Sequence, residues 1–439
     1  MLLRVEIENF LSFYKGSSFD LFPNLKRTSF PSHVYSEMVV PVLKQSVIYG
    51  ANGSGKSNLL KAVEFIRHFA LDKDFVNQEV IRRNKHRLLA AENTQPIKLG
   101  IEFKGKSHYY KYKFELKVAK VVEELYVSGL GTEDDELIFS RTGSAIEMSK
   151  GVSDEIISAT TKLLNKNLYS SVLALNNEFP ILNDFRVKES FDWFNRKLVV
   201  LKLTRVFPSL IDMMSKNKKV LDFANVIFKN IGLGVQSLEV KSESLKKIIE
   251  DGSEDEYRLK ELLKETPSSD SGIARLSADK VLFAIVKEKE EQVIKRFVFN
   301  QLGEGGATAK MDIEDQSDGT VKLLNLIPAL FDAIEKDCTI CIDEIENSIH
   351  PSLMAALVSF FSGSKSKGQL IFTTHETELL NQQKLMRPDE VWFAEKFEGD
   401  TKLYSLNDFK EHNTINIKNG YLEGRYGGIP FIGNLEVLL

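Results

Sequence analysis

Residues 46–70 read Ser46-Val47-Ile48-Tyr49-Gly50-Ala51-Asn52-Gly53-Ser54-Gly55-Lys56-Ser57-Asn58-Leu59-Leu60-Lys61-Ala62-Val63-Glu64-Phe65-Ile66-Arg67-His68-Phe69-Ala70. A β-branched apolar strand runs into a glycine-rich turn and then an amphipathic helix, and the G-x-x-x-x-G-K-S spacing between them is that of a phosphate-binding P-loop. Gly50, Gly53 and Gly55 permit the positive-φ backbone in which successive N–H groups close around phosphate oxygens, with the positive end of the helix dipole behind them. Lys56 is expected to reach the β- and γ-phosphates and Ser57 to ligate Mg²⁺. The run Gly50, Asn52, Gly53, Ser54, Gly55, Lys56, Ser57 and Asn58 is therefore assigned to a nucleotide.

On the amino-terminal side, residues 2–10 alternate as a half-exposed strand, followed by Leu11-Ser12-Phe13, and residues 14–44 read as a loop with a short strand. Beyond the P-loop helix the chain turns polar over residues 71–95. Its basic cluster Arg82, Arg83, Lys85, His86 and Arg87 is either a patch for a phosphate backbone or a solvated helix face. Residues 97–116 alternate with period two across Lys104-Gly105-Lys106 and predict a hairpin, which residues 121–128 and 136–141 extend into a meander. The acidic tip Glu133-Asp134-Asp135-Glu136 reads as an exposed connection and not a metal site. Residues 153–165, 168–175 and 191–197 predict helices and 198–203 a strand. From 208 to 275 the apolar spacing is mostly helical, with no heptad repeat sustained, so at most a short helical hairpin is expected to project. Residues 281–285 and 294–300 predict strands, and 301–309 a glycine-rich connection.

At 439 residues the chain has room for two or three domains, and 43% apolar with 27% charged residues is the balance of a protein with a sizeable core. A net charge of −4 supplies no global field toward nucleic acid or an anionic membrane, so any such contact must be a local patch. No apolar run approaches the ~18 residues of a membrane span, and the strand-like start lacks a signal peptide, so a cytoplasmic protein is expected. The two cysteines, Cys338 and Cys341, have C-x-x-C spacing but sit in the apolar run Cys-Thr-Ile-Cys-Ile and read as buried structural residues.

Far downstream lies a second set of motifs. Thr339-Ile340-Cys341-Ile342-Asp343-Glu344 has the Walker B pattern: a buried parallel strand carries Asp343 to Mg²⁺ at its carboxyl end. Glu344, the next residue, is placed to polarise the attacking water. A further strand, Gln369-Leu370-Ile371-Phe372-Thr373-Thr374-His375, ends in a histidine. Upstream, Gln316-Ser317-Asp318-Gly319-Thr320 is a polar turn that opens a helix.

In this order the motifs resemble those of ABC-class ATPase heads. Ser317-Asp318-Gly319-Thr320 resembles the ABC signature, although transporters read Leu-Ser-Gly-Gly-Gln there. Glu346-Asn347-Ser348-Ile349-His350-Pro351 resembles the D-loop, and His375 the switch histidine that contacts the γ-phosphate. The opening Glu-Asn-Phe-Leu-Ser-Phe resembles the SMC, RecF and OLD branch. With the closing stretches Tyr404-Ser405-Leu406-Asn407-Asp408-Phe409 and Gly420 to Phe431, the chain is similar to the bacterial AAA15 family, whose relatives include the ATPase component of the PARIS system. The resemblance leaves residues 208–280 uncovered.

The resemblance implies an α/β fold: an ABC-type head, P-loop sheet plus antiparallel β meander, with a helical insertion. The head is assembled from residues 1–205 and 279–439, and the insertion is residues 206–278. It implies an ATPase using ATP and Mg²⁺, with Lys56, Glu344 and His375 catalytic, Ser57 and Asp343 on the metal, and Ser317 and Gly319 reaching the nucleotide of a second copy in a homo-oligomer. Members of that family commonly occur in phage-defence and abortive-infection loci, often beside a TOPRIM-type nuclease. Because the stretch after His375 is too short for a TOPRIM domain, a separate nuclease-like effector is expected, with DNA or a phage protein as trigger. A DNA-repair ATPase similar to RecF or SMC is the alternative, and a transporter subunit fits the signature less well. GTP is disfavoured because Asn217-Lys218-Lys219-Val220 lacks the Asp of a guanine reader. The family's Q-loop glutamine has no convincing counterpart in Gln78 or Gln95.

Overall fold

Strand Gln45–Tyr49 is buried at every position, as a strand covered on both faces must be: Val47, Ile48 and Tyr49 supply the apolar run, and the buried Ser46 hydroxyl donates to the Glu390 carbonyl at 2.8 Å. The computed structural model describes residues 1–89, 92–202, 208–246, 272–275, 281–288, 291–346, 349–363, 365–380, 385–409 and 417–429. In it, Gln45–Tyr49 lies in a six-stranded sheet ordered Leu198–Lys202, Thr339–Asp343, Gln369–Thr373, Gln45–Tyr49, Val391–Phe397 and Asp400–Ser405. The four strands from Thr339–Asp343 to Val391–Phe397 run parallel, and Asp400–Ser405 returns antiparallel at one edge. A parallel core collects the carboxyl ends of its strands on one edge. Gly50, Asp343 and the residues after Thr373 all emerge there.

Helix Lys56–Leu71 starts at Gly55 and buries Leu59, Leu60, Val63, Phe65, Ile66 and Phe69. It packs against the parallel sheet at Thr339–Asp343 and against a second sheet at Leu2–Glu8 and Ile97–Lys104. Each such side chain withdrawn from water contributes roughly 1.5–3 kcal/mol. The second sheet is a seven-stranded antiparallel meander ordered Ala145–Met148, Glu136–Thr142, Lys120–Val127, Tyr109–Lys117, Ile97–Lys104, Leu2–Glu8 and Ser17–Asp20. Its period-two sequence becomes a period-two burial pattern: Tyr110, Tyr112, Phe114 and Leu116 point inward while Lys111, Lys113 and Glu115 are more exposed. One inward position is charged. Glu123 accepts from Tyr112 Oη at 2.8 Å and from the Val172 backbone at 2.9 Å beside the buried Arg141, and burial pushes its carboxyl above the usual range. The group anchors helix Val172–Glu178 to the meander.

The chain divides into two compact units, Met1–Leu201, Ala333–Glu344 and Ala355–Leu439 forming one, and Lys202–Asp332 with Ile345–Met354 the other. In the second unit, helices Pro208–Lys216 and Lys218–Asn230 pack on a sheet ordered Val235–Ser244, Glu291–Leu302, Val281–Glu288 and Gly272–Arg275, with Thr308–Asp312 also on Glu291–Leu302. The helical reading of 208–275 is thus corrected at Val235–Ser244, a strand paired along its length with Glu291–Leu302. Only Ser237 to Lys241 alternate polar and apolar, the register breaks between Val235 and Ser237, and the partner strand lies far along the chain, so the local helical signal of 208–230 gives way there to long-range pairing. Thr308–Asp312 likewise replaces the end of the expected connection with a strand, built by pairing and not by its own apolar content.

Candidate functional site

The P-loop is held by its own backbone and by both flanks of the chain. Gly50, Gly53 and Gly55 all have positive φ, at 156°, 77° and 113°. At Gly50 a Cβ would collide with the Ala394 carbonyl oxygen, and at Gly55 with the Thr401 and Ser12 hydroxyls, so both positions exclude a side chain by space as well as by backbone angle. Gly55 also has no side chain with which to cap the helix, so no side chain of its own closes over the first turn, where the Asn58 N–H donates to the Gly55 carbonyl at 2.9 Å. The Lys56 ammonium is buried and donates to the Gly50 and Ala51 carbonyls at 2.7 and 3.2 Å. Beneath the loop, Thr401 Oγ1 lies 2.8 Å from both the Ser54 carbonyl and Ser12 Oγ, and Ser12 Oγ accepts from Asn58 Nδ2 at 2.8 Å. Ser12 and Thr401 come from segments that carry no P-loop residue, and sequence reasoning gave neither a role.

Across the sheet edge, Ser57 Oγ donates to Asp343 Oδ1 at 3.0 Å although the two are separated by 286 residues. The same oxygen accepts from Thr373 Oγ1 at 2.7 Å, and Thr373 Oγ1 in turn accepts from the Glu344 N–H at 2.8 Å. Glu344 is exposed and has φ of 49°, in the left-handed region. Behind these oxygens the strand is apolar, and burial pushes the Cys341 thiol up to about 12. Both cysteines are buried thiols outside any disulfide. Converging hydroxyl and carboxylate oxygens suit a hard cation such as Mg²⁺, which keeps several waters and shares phosphate oxygens, so a dedicated cage is not needed. No group of three or more His, Cys, Asp or Glu side chains that could hold a metal ion occurs among the described residues.

His375 is exposed and leaves the end of Gln369–Thr373, the strand between Thr339–Asp343 and Gln45–Tyr49. Its loop is tied back by Tyr49 Oη, which donates to the Glu376 carbonyl at 2.9 Å. Lys56, Ser57, Asp343, Glu344 and His375 are therefore brought to one sheet edge within one compact unit. Ser317 and Gly319 belong to the other unit, where Ser317 is exposed and its Oγ accepts from the Thr320 N–H at 3.2 Å ahead of helix Asp318–Glu335. Asn347 and Ser348 lie outside the described residues, and Gln78 and Gln95 are both exposed. Of the residues missed, Thr373 is the first polar residue after the apolar run Leu370-Ile371-Phe372, a pattern that does not by itself tell a hydroxyl facing an acid from any other at a strand end.

A parallel P-loop sheet joined through one helix to an antiparallel meander is the arrangement expected of an ABC-type ATPase head. No curated protein matches the chain. Among solved structures it is similar to an Smc head bound to the C-winged helix domain of ScpA, at 12% identity and TM-score 0.48, covering 92% of this chain and 97% of that one. It is also similar to the SMC head domain from Thermotoga maritima, at 10% identity and TM-score 0.39, covering 92% and 98%. A third is an Smc head with an extended coiled coil bound to the C-terminal domain of ScpA, derived from Pyrococcus furiosus, at 12% identity and TM-score 0.39, covering 92% and 96%. The family described as "AAA domain, putative AbiEii toxin, Type IV TA system" matches residues 46–381, a span that takes in the P-loop, Ser317, Asp343, Glu344 and His375. The chain belongs to that AAA-domain family.

Proposed function

We propose that the protein binds Mg²⁺–ATP at the P-loop and hydrolyses it, as a sensor or scaffold in bacterial antiphage defence that controls a separate nuclease-like effector. The observation that carries the enzymatic part is the 3.0 Å bond from Ser57 Oγ to Asp343 Oδ1, which joins the loop to the remote acid. In this reading the first-turn N–H groups and Lys56 hold the phosphates, Lys56 exchanging its carbonyl partners for phosphate oxygens. Ser57 and Asp343 would hold Mg²⁺, which when bound offsets charge on the β- and γ-phosphates. Glu344 takes the proton of the attacking water, and His375 contacts the γ-phosphate from the neighbouring strand end. The exposure of Ser317 at the start of an 18-residue helix supports its use by a second copy of the chain, in a head-to-head dimer or larger homo-oligomer. The defence role rests on the resemblance to AAA15 proteins and the AbiEii-type family match.

Turnover of Mg²⁺–ATP by the wild type, with Glu344→Gln retaining ATP binding but losing about 10²-fold or more in kcat, is the expected result. Unchanged turnover in Glu344→Gln removes that residue from the role of base. The exposed Arg82, Arg83 and Arg87 favour a second reading, a RecF- or SMC-like ATPase on duplex DNA. Hydrolysis stimulated by DNA with steep salt dependence supports that reading, whereas hydrolysis indifferent to DNA, with co-purification of a nuclease encoded alongside, supports the first.

A further inference from the structure

The two acids at the site, Asp343 and Glu344, do different work and yet share one fastening. Thr373 is fully buried at the end of an apolar strand, and its single hydroxyl meets both: it donates to Asp343 Oδ1 at 2.7 Å and accepts from the Glu344 N–H at 2.8 Å. A hydroxyl has one proton, so the carboxylate takes the proton and the N–H takes the lone pair, and each bond polarises the other. The residue so held is not in a relaxed conformation. Glu344 has φ of 49°, which a side chain other than glycine adopts only where its surroundings keep it there. Asp343 Oδ1 also accepts from Ser57 at 3.0 Å. Were Ser57 to turn its oxygen to a metal, Thr373 would still donate to that carboxylate.

We propose that Thr373 is a positioning residue that fastens the metal-side carboxylate of Asp343 to the left-handed backbone of Glu344, so that the two acids are oriented as one unit. The proposal rests on the nucleotide reading of the site. It assigns Thr373 no contact with ATP. The hydroxyl is what matters; the β-branched shape serves only the strand.

Thr373→Val keeps the shape and removes the hydroxyl, and Thr373→Ser keeps the hydroxyl. The measurements are kcat and KM for ATP at saturating Mg²⁺, half-saturation by Mn²⁺ in the presence of ADP followed by electron paramagnetic resonance, and the thermal midpoint. In Thr373→Val, kcat is expected to fall about tenfold or more and the Mn²⁺ half-saturation point to rise about threefold or more, while KM for ATP stays within about twofold. Thr373→Ser is expected to recover both affected values. Should Thr373→Val fail to fold, Thr373→Ala is carried through the same measurements. A thermal midpoint lowered with kcat and Mn²⁺ binding unchanged marks a packing role and overturns the proposal alone. A wild type that binds Mn²⁺–ADP and turns over ATP no better than Lys56→Ala overturns the nucleotide reading and this proposal with it.

Discussion

The two halves of the site are built in opposite ways. In the loop half, Lys56 bonds to Gly50 and Ala51, and the Ser54 N–H to the Ala51 carbonyl at 3.1 Å, within one short turn that Thr401 and Ser12 brace from beneath. In the acid half, Asp343 is held by Ser57 and Thr373, and Glu344 by Thr373, none of them from its own strand. The first arrangement depends on residue type: glycines where a Cβ has no room, a lysine where carbonyls converge. The second depends on register, with Ile342 opposite Phe372 and Thr373 opposite Ile48. A slip of one residue would turn Thr373 to the other face of the sheet and release both acids.

Lys56→Ala is the strongest attack on the loop half. In the proposed reading it removes charge-assisted contacts to phosphate, worth about 1.5–3 kcal/mol each, and equilibrium binding of a fluorescent ATP analogue is expected to weaken roughly 10²-fold. Gly55→Ala tests whether the loop half depends on backbone shape as well as charge. The left-handed angle costs roughly 1–3 kcal/mol in a residue with a side chain, so the thermal midpoint should fall and ATP affinity drop about tenfold, with no change at the acids. Wild-type behaviour there would mean that Thr401 and Ser12 can give way. Thr401→Val sharpens the contrast further, since it deletes a bond to the loop from outside the motif. A loss of about 1 kcal/mol in stability with a small rise in KM for ATP is expected, and a large loss of kcat would mean that the loop half is less self-contained than its contacts indicate.

The smallest effect belongs to the thiol behind the acids. With Cys341 pushed by burial from an ordinary 9.0 up to about 12, iodoacetamide should label it negligibly in the native protein at pH 8, and readily after unfolding. The sign follows from the raised value: the folded state keeps this proton longer than the unfolded chain does. The corresponding stability is therefore full below pH 9 and is lost as pH rises toward about 12. Rapid labelling of native Cys341 would show that the strand behind Asp343 opens.

Legibility in the sequence follows the same division. The P-loop strand, its helix and the hairpin now seen as Ile97–Lys104 and Tyr109–Lys117 were readable because each is encoded by consecutive residues with one clear period. Helix Phe185–Arg196 was expected only from residue 191, although Asp184 caps it by accepting from the Arg186 N–H at 2.8 Å. Aromatic and charged residues in its first two turns blur the helical spacing there. Val235–Ser244 was not readable as a strand because its partner lies beyond residue 290 and two amphipathic helices precede it. At the site, Asp343 and Glu344 stood out as adjacent acids after an apolar strand. Thr373, Ser12 and Thr401 did not, since a hydroxyl inside or beside a strand looks the same whether it faces a neighbouring residue or a catalytic acid. Their parts are set by what the fold places opposite them.

A crystal structure with Mg²⁺ and a non-hydrolysable ATP analogue tests most directly whether the two halves serve one nucleotide. The expected result is a metal touching Ser57 Oγ and reaching Asp343 directly or through one water, with Lys56 Nζ moved from the Gly50 carbonyl to the phosphates. A nucleotide bound away from Lys56, or a metal remote from both Ser57 and Asp343, would contradict the account.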